Sequence, residues 1–197
     1  MQKLLVLRTS LNGEKSFSNQ LLDHLVAEAR QRHPGLTVVE RDLNADQVPM
    51  LNSQTVGAIR AGVADTDERR AAIQLSDELV AELKAADAIA IGLPRYNFMP
   101  PATFKSYVDY IGRAGVTFRY TEQGPQGLLP DVPVYGIVTS GGAYVGTDTD
   151  QLSPWVKQVL GFLGLKRVEL VHAERLAYDA EASLAEARQQ IESLIKD

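Results

Sequence analysis

The sequence predicts an open, doubly wound α/β fold: one sheet of five parallel strands with helices on both faces. Three observations carry this. Short apolar runs alternate with amphipathic helical stretches from end to end, the run Ala88–Leu93 (AIAIGL) is apolar throughout, and the 197 residues contain no repeat, low-complexity tract or linker. Alternation of this kind builds a parallel sheet. A strand covered on both faces reads as an unbroken apolar run. At roughly 100–200 residues per domain, residues 1–197 are expected to form a single domain.

Lys3–Leu7 is the first strand. Ser18–Arg32 follows as a helix, with Leu21, Leu22, Leu25, Val26 and Ala29 at helical spacing, Ser18 as N-cap and His33-Pro34-Gly35 as stop. Leu36–Arg41 is β-branched and forms the second strand. Residues 42–66 are polar and interrupted, with a short helix near Gln54–Ala61. Asp67–Ala85 is a long amphipathic helix, and Ala88–Leu93 the third strand. Pro100-Pro101 opens a helix to about Arg113. Gly115–Pro130 lacks a helical period, and its Thr117–Thr121 segment alternates as a hairpin or a loop. Pro133–Thr139 is the fourth strand, Leu152–Leu163 a helix stopped by Gly164, Arg167–His172 the fifth strand, and Glu181–Lys196 the closing helix. Five strands alternating with five helices in about 200 residues favour the flavodoxin-like order 2-1-3-4-5, with right-handed crossovers.

Composition narrows the function. Twenty Lys+Arg against 25 Asp+Glu give a charge of −5, and no basic cluster exists to meet nucleic acid. With 45% apolar and 23% charged residues, disorder, collagen and coiled coil are poor readings. The chain has no cysteine, which excludes thiol nucleophiles, disulfides and Cys-ligated metal, and fits a reducing compartment. No apolar stretch approaches the ~20 residues of a membrane helix, and the first apolar run is too short for a signal-peptide core. A cytoplasmic location and no membrane partner are expected. Three scattered histidines lack metal-ligand spacing, so no metal is expected; His24 and His33 read as surface or helix-end residues, and His172 as structural. No G-x-S-x-G elbow is present for serine hydrolysis.

In this strand order ligands bind beyond the carboxyl ends of the strands, where the order reverses. The loops that matter are then Thr9–Phe17, Pro94–Met99 and Ser140–Asp150. The first holds Ser10 and Ser16 and enters a helix through Phe17 and Ser18. Helix N-termini offer free amides and positive dipole charge to a phosphate, and serine hydroxyls add donors. Neither the P-loop nor the G-x-G-x-x-G pattern occurs, which leaves a hydroxyl cradle for a monophosphate. Taken alone, Ser16 and Ser18 read equally well as helix caps. The second loop sets Arg95, Tyr96, Asn97 and Phe98 directly beyond a buried strand, where aromatic faces and amides can meet a planar ring, or simply plug the sheet edge. The third presents Ser140, Gly141, Gly142 and Ala143; paired glycines let a ligand approach the backbone, or merely turn it. Together the three loops suit the phosphate and the isoalloxazine of FMN.

At these residues the chain resembles the FMN-dependent NADH-azoreductases, flavodoxin-like NAD(P)H:quinone oxidoreductases. The carrying segments are Ser10, Ser16–Gln20, Pro94–Phe98, Ala114–Leu128 (AGVTFRYTEQGPQGL) and Thr139–Gly142. The resemblance runs over essentially the whole chain, and Ala114–Leu128 is its most specific part. It implies an FMN-dependent oxidoreductase that reduces quinones and azo compounds by two-electron, ping-pong hydride transfer from NADH or NADPH. It further implies tightly bound FMN, a homodimer with active sites at the interface, and small aromatic acceptors. Ser10 and Ser16–Ser18 would hold the phosphate, and Arg95–Phe98 with Ser140–Ala143 would contact the ring. The flavin carries the chemistry, so no catalytic side chain is implied. Tyr120 and Phe162 match positions that wall the substrate pocket; on their own they read as a hairpin aromatic and as helix packing.

The family pattern has Met where this chain has Arg95, and Leu where it has Phe104. A cation at Arg95 either faces the site, where it would favour an anionic reduced flavin, acidic acceptors or a nicotinamide phosphate, or points to solvent or a partner subunit. Arg60 either reaches the nicotinamide dinucleotide or serves the surface. The alternative function is a flavodoxin-type electron carrier, which would hold FMN with the same loops but have no substrate of its own.

Overall fold

The computed structural model describes residues 1–195. Five strands form one parallel sheet: β1 (Lys3–Arg8), β2 (Thr37–Asp42), β3 (Ala88–Pro94), β6 (Val134–Thr139) and β7 (Val168–Ala173), in the order β2-β1-β3-β6-β7. Counted along the sheet strands alone, this is 2-1-3-4-5, as expected. β4 (Phe118–Thr121) and β5 (Gly124–Gly127) form a separate antiparallel hairpin, which resolves the hairpin-or-loop alternative for Thr117–Thr121. The helices are α1 (Phe17–Arg32), α2 (Ser53–Ala61), α3 (Asp67–Ala85), α4 (Ala102–Ile111), α5 (Leu152–Leu163) and α6 (Ala180–Leu194), six among the described residues because the short segment near Gln54–Ala61 is a full helix. Lys196, read as the end of the closing helix, lies outside the described residues.

Period-two alternation along the strands divides the core into two layers. Leu4, Val6, Ala88 and Ala90 face α1 and α6. Leu5, Leu7, Ile89 and Ile91 face α3, α4 and α5. Every residue of β3 is buried, as its apolar run requires, whereas β2 at the sheet edge is only partly covered. The cap of α1 corrects one expectation: the helix starts at Phe17, and the capping side chain is Ser16, whose Oγ accepts from the Asn19 amide at 3.2 Å. Ser16 has the extended backbone that a cap needs, while Ser18 is already helical and fully buried.

The hairpin is rooted by one hydroxyl. Thr117 is completely buried; its Oγ1 donates to the Ile111 carbonyl at 2.6 Å and accepts from the Arg113 amide at 2.9 Å. Thr117→Val keeps the volume but removes both side-chain hydrogen bonds, leaving the Arg113 amide and the Ile111 carbonyl only their 3.0 Å bond to each other; at about 0.5–1.5 kcal/mol per bond we expect a loss of about 1–3 kcal/mol in urea unfolding. A change below about 0.5 kcal/mol would contradict this account of the root.

Candidate functional site

The order of the sheet reverses between β1 and β3, and the loops that leave their carboxyl ends and that of β6 meet in one cleft. It holds about 290 Å³ and is lined by Ser10, Ser16, Phe17, Arg95, Tyr96, Ser140 and Gly141 among others. That volume is at the low end for small-molecule sites.

The first wall is the α1 N-terminus. The Ser16 hydroxyl bonds Ser18 Oγ at 3.0 Å, which places Ser18 as a buried support outside the lining. First-turn amides point away from the helix body, and among the described residues those of Phe17 and Ser18 have no acceptor. No acidic residue occupies this first turn. The result is a neutral donor set with positive dipole character, which fits a phosphate and requires no metal. Tyr96 joins this wall to the next: its hydroxyl lies 3.2 Å from Ser10 Oγ and accepts from the Leu11 amide at 3.3 Å.

The second wall is a tight turn. Tyr96 and Met99 exchange backbone hydrogen bonds of 2.8 and 3.1 Å around Asn97 and Phe98, whose φ angles are +48° and +72°. Two successive positive φ values define a type I′ turn. Asn tolerates that conformation, but Phe does so at a cost of order 1–3 kcal/mol. The amides of Asn97 and Phe98 have no acceptor among the described residues, and the Phe98 side chain is half exposed. Arg95 and Tyr96 line the cleft, and Asn97 and Phe98 follow them in the turn, outside its lining.

The third wall is Ser140-Gly141, with Gly142 and Ala143 just outside the lining. The segment after β7 clamps it: the amides of Arg175 and Leu176 donate to the Gly142 and Ser140 carbonyls at 3.0 and 3.1 Å. Glu174 accepts from the amides of Tyr144 and Val145 at 2.6 and 3.0 Å. Leu176 and Ala177 complete the lining. Neither was visible in sequence, because nothing local marks the turn after the last strand as part of the site.

Arg95 lines the cleft, but its guanidinium turns inward. Its side chain is only 2% exposed, pairs with Asp150 at 2.7 Å, and lies over the Tyr144 ring at 4.5 Å. Its charge is thus neutralised locally by Asp150 and withheld from solvent. Burial pushes the Asp150 carboxyl up, but hydrogen bonds from Arg95 and Ser153 outweigh this and hold it below the usual carboxylate range. A depressed carboxyl lends stability that is complete above its unfolded value, and that is lost as pH falls through the folded one. The pair therefore persists at neutral pH and loosens only in acid.

Tyr120 and Phe162 are not brought to this cleft. Tyr120 is exposed on the hairpin. Phe162 packs on Phe118 at 4.4 Å and borders a separate, largely apolar groove of about 550 Å³, which Arg60 also lines. Burial, the largest influence, pushes the His172 imidazole below its ordinary value, consistent with a structural residue. His24, Glu28 and Glu192 do gather, with ligand atoms within 4.8 Å, a juxtaposition that sequence spacing missed. Glu28 is already paired with Arg32 at 2.9 Å, so the group is charge-compensated without an ion.

The comparisons with known proteins agree with this geometry. The chain matches the family model described as flavodoxin-like fold over residues 2–195. It is 47% identical to an FMN-dependent NADH:quinone oxidoreductase of Bordetella parapertussis, over 99% of this chain and 96% of that one. It is 43% identical to one of Pectobacterium atrosepticum, over 99% of both. Its fold is similar to that of an FMN-dependent NADH-azoreductase from Bacillus anthracis solved in complex with FMN, with 28% identity, a TM-score of 0.89, and coverage of 99% of this chain and 98% of that one. Among the described residues no helix is long and apolar enough to cross a membrane.

Proposed function

Because the chain belongs to the flavodoxin-like family and to the FMN-dependent NADH:quinone oxidoreductases within it, we propose that it binds FMN and reduces quinones and azo compounds with NADH or NADPH as donor. What supports this most is the convergence of three loops on one cleft at the reversal of strand order, with neutral donors at one end and a left-handed turn at the other. Bound FMN supplies the hydride transfer, and that chemistry is the cofactor's own.

The chain's work is binding and positioning. Ser10, Ser16 and the Phe17 and Ser18 amides hold the phosphate. Arg95–Phe98 and Ser140–Ala143 flank the isoalloxazine. The Asn97 and Phe98 amides, without an acceptor among the described residues, would be available to donate to the bound ring. With FMN bound, donor and acceptor would occupy the same site in turn, and ping-pong kinetics would follow. The proposal includes a homodimer with Tyr120 and Phe162 supplied by the partner subunit, since each chain by itself keeps them away from its own cleft. It includes a cytoplasmic location and one domain with one FMN. A carrier without its own substrate finds no support among the relatives named above, which are oxidoreductases.

Steady-state kinetics with NADH and NADPH against quinones and azo dyes test the reading. Parallel double-reciprocal lines are expected; no turnover with any acceptor would overturn it. Arg95→Met, assayed at saturating FMN, should leave the NADPH/NADH ratio of kcat/KM unchanged within about twofold, because the Arg95 charge is already paired. A tenfold loss of NADPH use would show that the charge reaches the donor.

A further inference from the structure

We propose that Arg95 and Asp150 form a buried positioning pair that holds the Asn97–Phe98 turn against the loop after β6 and so sets the ring-binding edge of the cleft; the use of that edge rests on the FMN reading above. Arg95 leaves β3 with its amide on the Thr139 carbonyl at 2.8 Å. Its guanidinium then reaches both ways: Nη2 to Asp150 at 2.7 Å, and Nη1 to the Phe98 carbonyl at 3.4 Å. Asp150 is itself fixed at the start of α5, where it accepts from the Ser153 amide at 3.2 Å. Tyr144 fills the space between, under the guanidinium at 4.5 Å and edge-on to Phe98 at 5.9 Å. Its own amide is held by Glu174 at 2.6 Å.

A phenylalanine at positive φ does not hold that conformation unaided; it persists where its surroundings over-determine it. Here one side chain binds the carbonyl of the strained residue and anchors it to a second element. A planar guanidinium can hold a carboxylate, a carbonyl and an aromatic face at once, and an ammonium cannot. Arg95 thus acts through Asp150 and Tyr144 on the turn; it is a positioning residue for cofactor and acceptor alike.

Full-length Arg95→Met, Asp150→Asn, the double variant and Arg95→Lys test this by amide hydrogen exchange and by FMN titration. In flavin-free protein each single variant is expected to speed exchange of the Tyr96 and Met99 amides at least tenfold, with the β3 amides unchanged. FMN binding should weaken 10- to 100-fold in each. The double variant should be no worse than the worse single, and Arg95→Lys should recover part of the loss. Turn amides that exchange as in the parent overturn the proposal. So do single losses that multiply in the double, or a loosened turn with unchanged FMN affinity. Should Arg95→Met fail to fold, the near-isosteric Asp150→Asn carries the test. A parent chain that takes up no FMN overturns the cofactor reading instead, and hydrogen exchange still decides the pairing.

Discussion

Gly127→Ala is expected to lower the thermal midpoint by roughly 6–12 °C. A Cβ on Gly127 would run into Gly164 N, Gly164 Cα and Leu163 C. These are backbone atoms and cannot swing aside. Gly164 caps α5 at φ +113°, and a Cβ there would meet the Leu129 carbonyl oxygen at 2.7 Å. The two glycines therefore let β5 lie directly on the end of α5, with the Leu129 amide donating to the Leu163 carbonyl at 3.0 Å. Overpacking of this severity costs about 3 kcal/mol, and each kcal/mol moves the midpoint about 2–4 °C in a protein of this size. Gly161→Ala is the control: nothing lies within 4 Å of its Cβ, and alanine is the better helix former, so circular dichroism should show no loss. A Gly127→Ala midpoint within 2 °C of the parent would contradict the contact.

Ser16→Asp is expected to weaken FMN binding at least 100-fold while leaving riboflavin binding nearly unchanged. Aspartate caps helices as well as serine does and can still accept from the Asn19 amide, so α1 is kept. The new carboxylate faces the cleft that Ser16 lines. At ~5 Å and an effective dielectric of ~20, each pair of like unit charges costs about 3 kcal/mol, a factor above 100. Riboflavin lacks the phosphate and escapes the penalty. Flavin fluorescence titrations of both ligands read the difference directly. Equal losses, or none, would show that the phosphate sits elsewhere.

The sheet and its order were legible because burial on two faces leaves a plain signature: AIAIGL can hardly be anything but a central strand, and β3 is buried throughout. The three loops followed from that order. What local reading missed is what joins residues far apart in sequence. Arg95 and Asp150 are 55 residues apart; both fall in loops expected to matter, but nothing local pairs them. Gly164 reads as a helix stop and Gly127 only as part of the Ala114–Leu128 stretch, and nothing in either announces that they touch. The Ala114–Leu128 stretch is the most specific part of the resemblance, and at Gly127 the contact with α5 supplies a packing reason for it. Ser16 and Ser18 were ambiguous as caps because both suit the role, and only backbone geometry separates them.

Anaerobic mixing of the FMN-loaded protein with NADH, followed by a quinone, tests the central claim most directly. Absorbance near 450 nm should bleach rapidly with NADH alone and return fully when the quinone is added. A protein that stays colourless with FMN, or one that binds FMN and bleaches only when a separate reductase is supplied, would contradict it.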